Sequence, residues 1–271
     1  MSDIFCFTSL TKLTFFHCSV IIKKGDIMDI VKICGREFPA DAELLSFSYC
    51  TLNEDDLIKI KRMSGAVSLT LKPNNAISDI SFLKELTELR SLEITGAKVS
   101  DISPLGGLSK LEKLHLSCNN IEDITPLASL KNLTDLHLGK NLIGDISPLA
   151  GLTGLTSLIL WHNKIEDISS LGELSKLEIL GLEENPISDI TPLGQLTELR
   201  RLNLMNCRIG DISPLISLIE LDNLGLEGNP ITDISPLENL TNLKYLWIGK
   251  KTLSSEDRLR LTSALKGCTI R

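Results

Sequence analysis

A chain of 271 residues with a formal charge of −7 and a pI of about 5.2 is poorly matched to nucleic acid or an anionic membrane surface as a partner. Hydrophobic residues reach 42% while aromatics stay at 4%, so one aliphatic shape, leucine, must fill most of the interior. No stretch approaches the roughly 18 apolar residues of a membrane span.

The chain opens with a poor secretory leader. Lys12 interrupts the apolar run, and Lys23 and Lys24 follow the hydrophobic segment instead of preceding it. Phe7, Leu10, Leu13, Phe15, Cys18 and Val20 fit much of the repeat frame met farther along. They could form an extra coil, a swapped edge element or a remnant upstream of an alternative start at Met28. Residues 1–41 are assigned to an N-terminal extension and cap, with a partial repeat-like segment at 7–21 and a strand or small cap over Val31 to Phe38. The seven cysteines (Cys6, Cys18, Cys34, Cys50, Cys118, Cys207 and Cys268) are an odd number without metal spacing. That favours a reducing, cytoplasmic setting, or a secreted chain whose N-terminus is misassigned or truncated. Cys34 and Cys50 could still bridge near the start of the stack.

The pattern Leu45-x-Phe47-x-x-Cys50-x-Leu52 predicts a strand and turn, and residues 53–63 a helix capped by Asn53. Ala66, Leu69, Leu71 and Asn74 begin a first regular coil, with one extra residue before Ile77. From there the phrase L-x-x-L-x-L-x-x-N-x-I-x-D-I-[ST]-P-L recurs, anchored on Leu89, Leu111, Leu133, Leu155, Leu177, Leu199, Leu221 and Leu243, each 22 residues after the last. A period of this length with this leucine spacing predicts an α/β leucine-rich-repeat solenoid over residues 42–250. The expected form is a curved right-handed superhelix, with a parallel β-sheet on its concave face and short 3₁₀ or helical turns on its convex face.

Within the repeat Leu111 to Asn132, Leu114 and Leu116 alternate with Lys113, His115 and Ser117, which is strand periodicity. Asn119, Asn141, Asn163, Asn185 and Asn229 should form a buried amide ladder, with Ala97 and Cys207 as substitutes. The serine or threonine before each proline, as in Thr125-Pro126, is expected to cap the convex turn. The recurring aspartates from Asp79 to Asp233 are expected to bond local backbone. A helix from Ser254 or Ser255 to about Leu265 should close the stack with Leu259, Leu261 and Leu265, making residues 251–271 a C-terminal helical cap. The solenoid ends are candidate surfaces for self-association, since an uncovered edge strand can pair with another chain.

Outward strand positions form columns across the sheet. Ile159, Trp161, Ile179 and Met205 are predicted to make one apolar patch, and Tyr245 with Trp247 a second. Gly181 and Gly225 should leave low points between them, bordered by Glu183, Glu184 and Glu227, with Arg201 in the same surface. Aromatic side chains so placed suit a protein interface. The competing reading is recognition of a carbohydrate or small ligand by stacking on Trp161 or Trp247. His115 and His137 sit in adjacent rows, with Asp135 the nearest acid. Without a fuller donor set no metal is assigned, and no catalytic motif or cofactor site is present.

The phrase Asn-x-Ile-x-Asp-Ile-Ser-Pro-Leu, as in Asn229 to Leu237, closely resembles the bacterial internalin-type leucine-rich-repeat proteins. That class also takes in the leucine-rich regulatory subunit of protein phosphatase one. The resemblance covers roughly Leu45 to Lys266, and residues 267–270 look like the edge strand that often finishes bacterial members. It implies a non-enzymatic module that binds an unidentified protein along its concave face, with Trp161, Tyr245 and Trp247 as anchors. The chain differs from secreted internalins in showing no clear signal peptide, immunoglobulin-like module or wall-anchor tail. An intracellular scaffold therefore fits as well as an adhesin.

Overall fold

The computed structural model describes residues 29–48, 50–72, 77–249 and 253–271. The repeat-like segment at 7–21 and Asn74 lie outside these. The described chain opens with an antiparallel hairpin, β1 (Ile30–Ile33) and β2 (Arg36–Pro39). It continues through β3 (Leu44–Ser48), α1 (Glu54–Arg62) and β4 (Ser68–Lys72). The repeats supply β5 (Ser91–Ile94), β6 (Lys113–His115), β7 (Asp135–His137) and β8 (Ser157–Ile159). They go on with β9 (Ile179–Gly181), β10 (Arg201–Asn203), β11 (Asn223–Gly225) and β12 (Tyr245–Trp247). Helix α2 (Ser255–Ala264) and β13 (Thr269–Ile270) finish the chain.

Strands β3 to β13 form one eleven-stranded parallel sheet in strictly sequential order. Lys113 pairs with Asp135, Asp135 with Ser157, and Ser157 with Ile179, a step of one 22-residue repeat each time. The step from Ser68 to Ser91 is one residue longer, which accommodates the extra residue before Ile77. No single coil could bury its own leucines. Stacking gives each coil two apolar neighbours, and Leu114, Leu136, Leu158 and Leu180 end fully or almost fully enclosed. On the convex side every repeat makes a short 3₁₀ turn, as the nine-residue return segment requires.

The asparagine ladder forms as expected. Asn141 donates to the carbonyls of Leu116 and Leu138 and accepts from the Ile121 N–H, so one side chain ties three backbone groups in adjoining coils. Cys207 replaces this amide with weaker contacts from Sγ to the Leu182 and Met205 carbonyls. Burial pushes its thiol up to about 11, which makes it an inert substitute at neutral pH.

The serine or threonine before each proline is not the cap. It is the first residue of the 3₁₀ turn, which begins after an isoleucine with no side-chain cap. The aspartate two residues earlier does that work, as where Asp101 accepts from the Ser103 N–H at 2.8 Å and Asp123 from the Thr125 N–H at 2.8 Å. A short carboxylate two positions upstream reaches this N–H without leaving the turn.

Both ends are covered. Asn53 caps α1 in a reciprocal box with Asp56, whose other oxygen accepts from the Cys34 N–H. Phe38 packs on Phe47 with ring centroids 5.1 Å apart, and Ile33 is fully buried. Cys34 and Cys50 are joined in a disulfide with Cα atoms 6.4 Å apart, so the bridge left open by the cysteine count forms in the structure. At the other end Ser254 caps α2, and β13 pairs with β12 as an edge strand. Leu261 and Leu265 face the stack, but Leu259 is 69% exposed and does not join them. Two residues along a helix is about 200° of rotation, so Leu259 cannot share a face with Leu261.

Candidate functional site

The outward residues of β5 to β12 make a continuous concave surface. The two tryptophans and Tyr245 stand on it, as their place in the two-residue strand period requires. Tyr245 is 45% exposed and stacks on Trp247, with ring centroids 5.7 Å apart and planes inclined by 22°. The two rings brace each other into one rigid platform near the C-terminal end. Arg201, two strands away across Asn223, and Glu227 are exposed on the same face, while Ile159, Ile179 and Met205 are half-buried.

The central patch is arranged differently from the sequence expectation. The Trp161 indole lies over Gly139 in the preceding coil, where a methyl group on Gly139 would fall 2.1 Å from Nε1. Ile159 tips the opposite way, over Gly181, and Met205 leans over Gly225. Trp161 and Met205 therefore point toward opposite ends of the sheet. Gly181 and Gly225 are not low points, because Ile159 and Glu183 close over the first and Asn203 and Met205 over the second. A glycine in a strand leaves room for which its neighbours compete.

This packing makes a direct test. Gly139→Ala should expel the indole from its seat while leaving the coil folded, since Gly139 itself has ordinary backbone angles. Trp161 emission should shift to the red in a variant with Trp247→Phe as background, with an unchanged circular dichroism spectrum. Identical emission from both proteins would mean that the indole does not rest on Gly139.

Glu183 is the least comfortable residue of the face. Its Oε2 is buried with no hydrogen-bond partner. Burial, reinforced by the charge of Glu184, pushes its carboxyl up to about 7 against weaker opposing contacts from its own backbone and Asn203. Farther toward the N-terminal end, Asp135 sits between His115 and His137, 3.0 Å from Nε2 of each. Asp135 thus joins both imidazoles.

One position of the repeat takes a backbone conformation that the leucine pattern does not mark. Cys118, Lys140, His162, Glu184 and Asn206 all take left-handed backbone angles, as do Gly96 and Gly228 at the equivalent position. This residue precedes the ladder position and turns the chain off the sheet. Glycine does so freely, whereas each of the others carries a strain of about 1 kcal/mol or more. His162 and Glu184 meet there at 2.6 Å, beside an open depression of about 610 Å³ bordered by Asn206 and Arg208. The 22-residue recurrence of one position that tolerates glycine was the available signal.

The family model for leucine-rich repeats (two copies) matches residues 109–151, 153–195, 176–217 and 219–260. Among solved structures the chain is similar to an internalin (inlF) from Listeria monocytogenes, with 35% identity and a TM-score of 0.77 over 84% of this chain and 65% of that one. It is also similar to internalin C2 from the same organism, again with 35% identity, a TM-score of 0.67, and coverage of 73% of this chain and 84% of that one. A leucine-rich-repeat protein of Leptospira interrogans aligns at 25% identity and a TM-score of 0.74, over 83% of this chain and 58% of that one. No curated protein matches the chain in sequence. The chain spans just under two thirds of the first of these structures. With its 22-residue period, its sequential parallel sheet and these likenesses together, the chain belongs to the internalin-type leucine-rich-repeat proteins.

Proposed function

We propose that this chain is a non-catalytic module that binds another protein along its concave face. The observation that carries the reading is the stacked Tyr245–Trp247 pair on the concave face, its tyrosine exposed and its tryptophan half-buried. Paired aromatic rings present a large rigid area at little entropic cost, which is what interface hot spots require. Ile159, Trp161, Ile179, Glu183 and Met205 extend the same surface along the stack.

The carbohydrate reading finds less support. Trp161 and Trp247 stand four strands apart, about 19 Å at ordinary strand spacing, so one compact sugar cannot use both. Trp161 also spends one ring face on Gly139, and Trp247 spends one on Tyr245. The likeness to the phosphatase regulatory subunit is one of repeat class, and no phosphatase-binding role is built on it.

The test is capture of partners by the full chain and by its Trp161→Ala/Trp247→Ala variant, followed by titration of whatever the parent retains. The variant should keep the parent's melting profile and lose at least about 2 kcal/mol of affinity, roughly thirtyfold. Equal affinity in the two would remove the concave aromatics from the interface.

A further inference from the structure

We propose that His115, Asp135 and His137 form a binding site on the concave face for a divalent transition ion of the zinc type. The register of the sheet makes the cluster. His115 and His137 are direct partners between β6 and β7, and Asp135 lies two residues before His137 on the same face of β7. One ligand atom from each residue falls within 4.8 Å of the other two.

The arrangement within the cluster points to a cation. The two imidazole rings are parallel, with centroids 3.9 Å apart, and both Nε2 atoms turn to the one carboxylate. His115 Nε2 reaches Oδ2 in a hydrogen bond of 3.0 Å. His137 Nε2 is equally near Oδ1 but out of line for one, so Oδ1 is a buried acceptor without a hydrogen-bond partner. An unpaired buried carboxylate oxygen is costly. His137 Nε2 is shared with Ser157 Oγ at 3.5 Å, whereas an ion between the three groups would be held by all of them.

Two nitrogens and one carboxylate oxygen match zinc, cobalt or nickel and are wrong for calcium or magnesium, which take oxygen donors. The rings need only open from their parallel stack, so that both nitrogen lone pairs converge at about 2.1 Å from the ion. Three protein ligands leave a coordination position open toward the groove, where water or a partner's side chain completes the shell. The site stands on its own geometry and does not depend on the protein-binding reading.

Titration of the full chain with Co²⁺, followed by visible absorption, tests the proposal without reference to any partner. The parent should bind one equivalent with d–d bands and no thiolate-to-cobalt charge-transfer band, and Zn²⁺ should displace it. His115→Ala, Asp135→Asn and His137→Ala should each weaken binding at least tenfold, a scale at or above that of losing an outer-sphere partner. His162→Ala, which removes an imidazole paired with Glu184, should bind as the parent does. Circular dichroism melts establish that each variant is folded, which outward-facing substitutions permit. Lowering the pH through the imidazole range should release the ion. Absence of bound cobalt in the parent, thiolate bands in its spectrum, or undiminished binding in the three variants would each overturn the site.

Discussion

Asn185→Ala is expected to destabilise the solenoid by about 3 kcal/mol, although the substitution removes only one amide from the interior. Asn185 is almost wholly buried. Its Nδ2 donates to the carbonyls of Leu160 and Leu182 at 3.0 Å each, and its Oδ1 accepts from the Ile165 N–H at 3.1 Å. Alanine leaves the Ile165 N–H enclosed by leucines with no replacement partner, while the Leu160 carbonyl keeps only Asn163 Nδ2 and the Leu182 carbonyl only the weaker contact from Cys207 Sγ. Each such loss costs about 1 kcal/mol when water can partly compensate and more when it cannot. The damage falls in the middle of a quasi-one-dimensional stack, where it weakens the interfaces of two adjoining coils. Urea unfolding followed by far-ultraviolet circular dichroism would measure it. A loss below about 1 kcal/mol would mean that the ladder does not hold the coils together. Cys207→Asn in the same experiment should gain about 1 kcal/mol, since the amide offers the Ile187 N–H the oxygen that a thiol lacks.

Glu183→Gln is expected to do the opposite, raising stability at pH 8 by as much as about 3 kcal/mol. The Glu183 carboxyl stands at about 7 in the folded chain, against an ordinary value of 4.5, chiefly because burial disfavours its charge. Between these two values the folded form holds a proton that the unfolded form has released. Its contribution to stability is therefore fully present below pH 4.5 and is lost as the pH rises through 7. Glutamine mimics the protonated acid at every pH, so parent and variant should converge near pH 4.5 and diverge toward pH 8. Denaturant midpoints measured at half-unit steps would show the divergence, and a gap independent of pH would refute it. A residue that weakens its own fold at neutral pH, on the surface assigned to binding, is a reasonable place to seek a contact with a basic side chain of the partner.

Much of the architecture was legible because each repeated position meets the same surroundings in every coil. Leu114, Leu136, Leu158 and Leu180 occupy one environment four times over, so a local pattern states a tertiary fact. The amide ladder and the aspartate turns follow in the same way, since their partners lie at fixed offsets within one or two coils. The ends were harder to read. Leu259 is expected to close the stack with Leu261 and Leu265 on the cap helix, but helical rotation takes it to solvent beside the buried Leu261. The serine and threonine before each proline are of a type that suits a cap, yet the backbone enters the turn one residue too early for them to serve as one.

What the sequence determined by itself is the period, the inward leucines, the ladder and the face on which Trp161, Tyr245 and Trp247 stand. All of these depend on spacing along the chain. Only the tertiary structure decided that Trp161 lies back on Gly139, that Ile159 and Glu183 cover Gly181, and that Asp135 joins two imidazoles. It also joined Cys34 to Cys50 and set a left-handed residue before each ladder position from Ala97 to Asn229. These features are unique side chains meeting across neighbouring coils, where the space left by one residue is settled by competition among those around it and no period records the outcome.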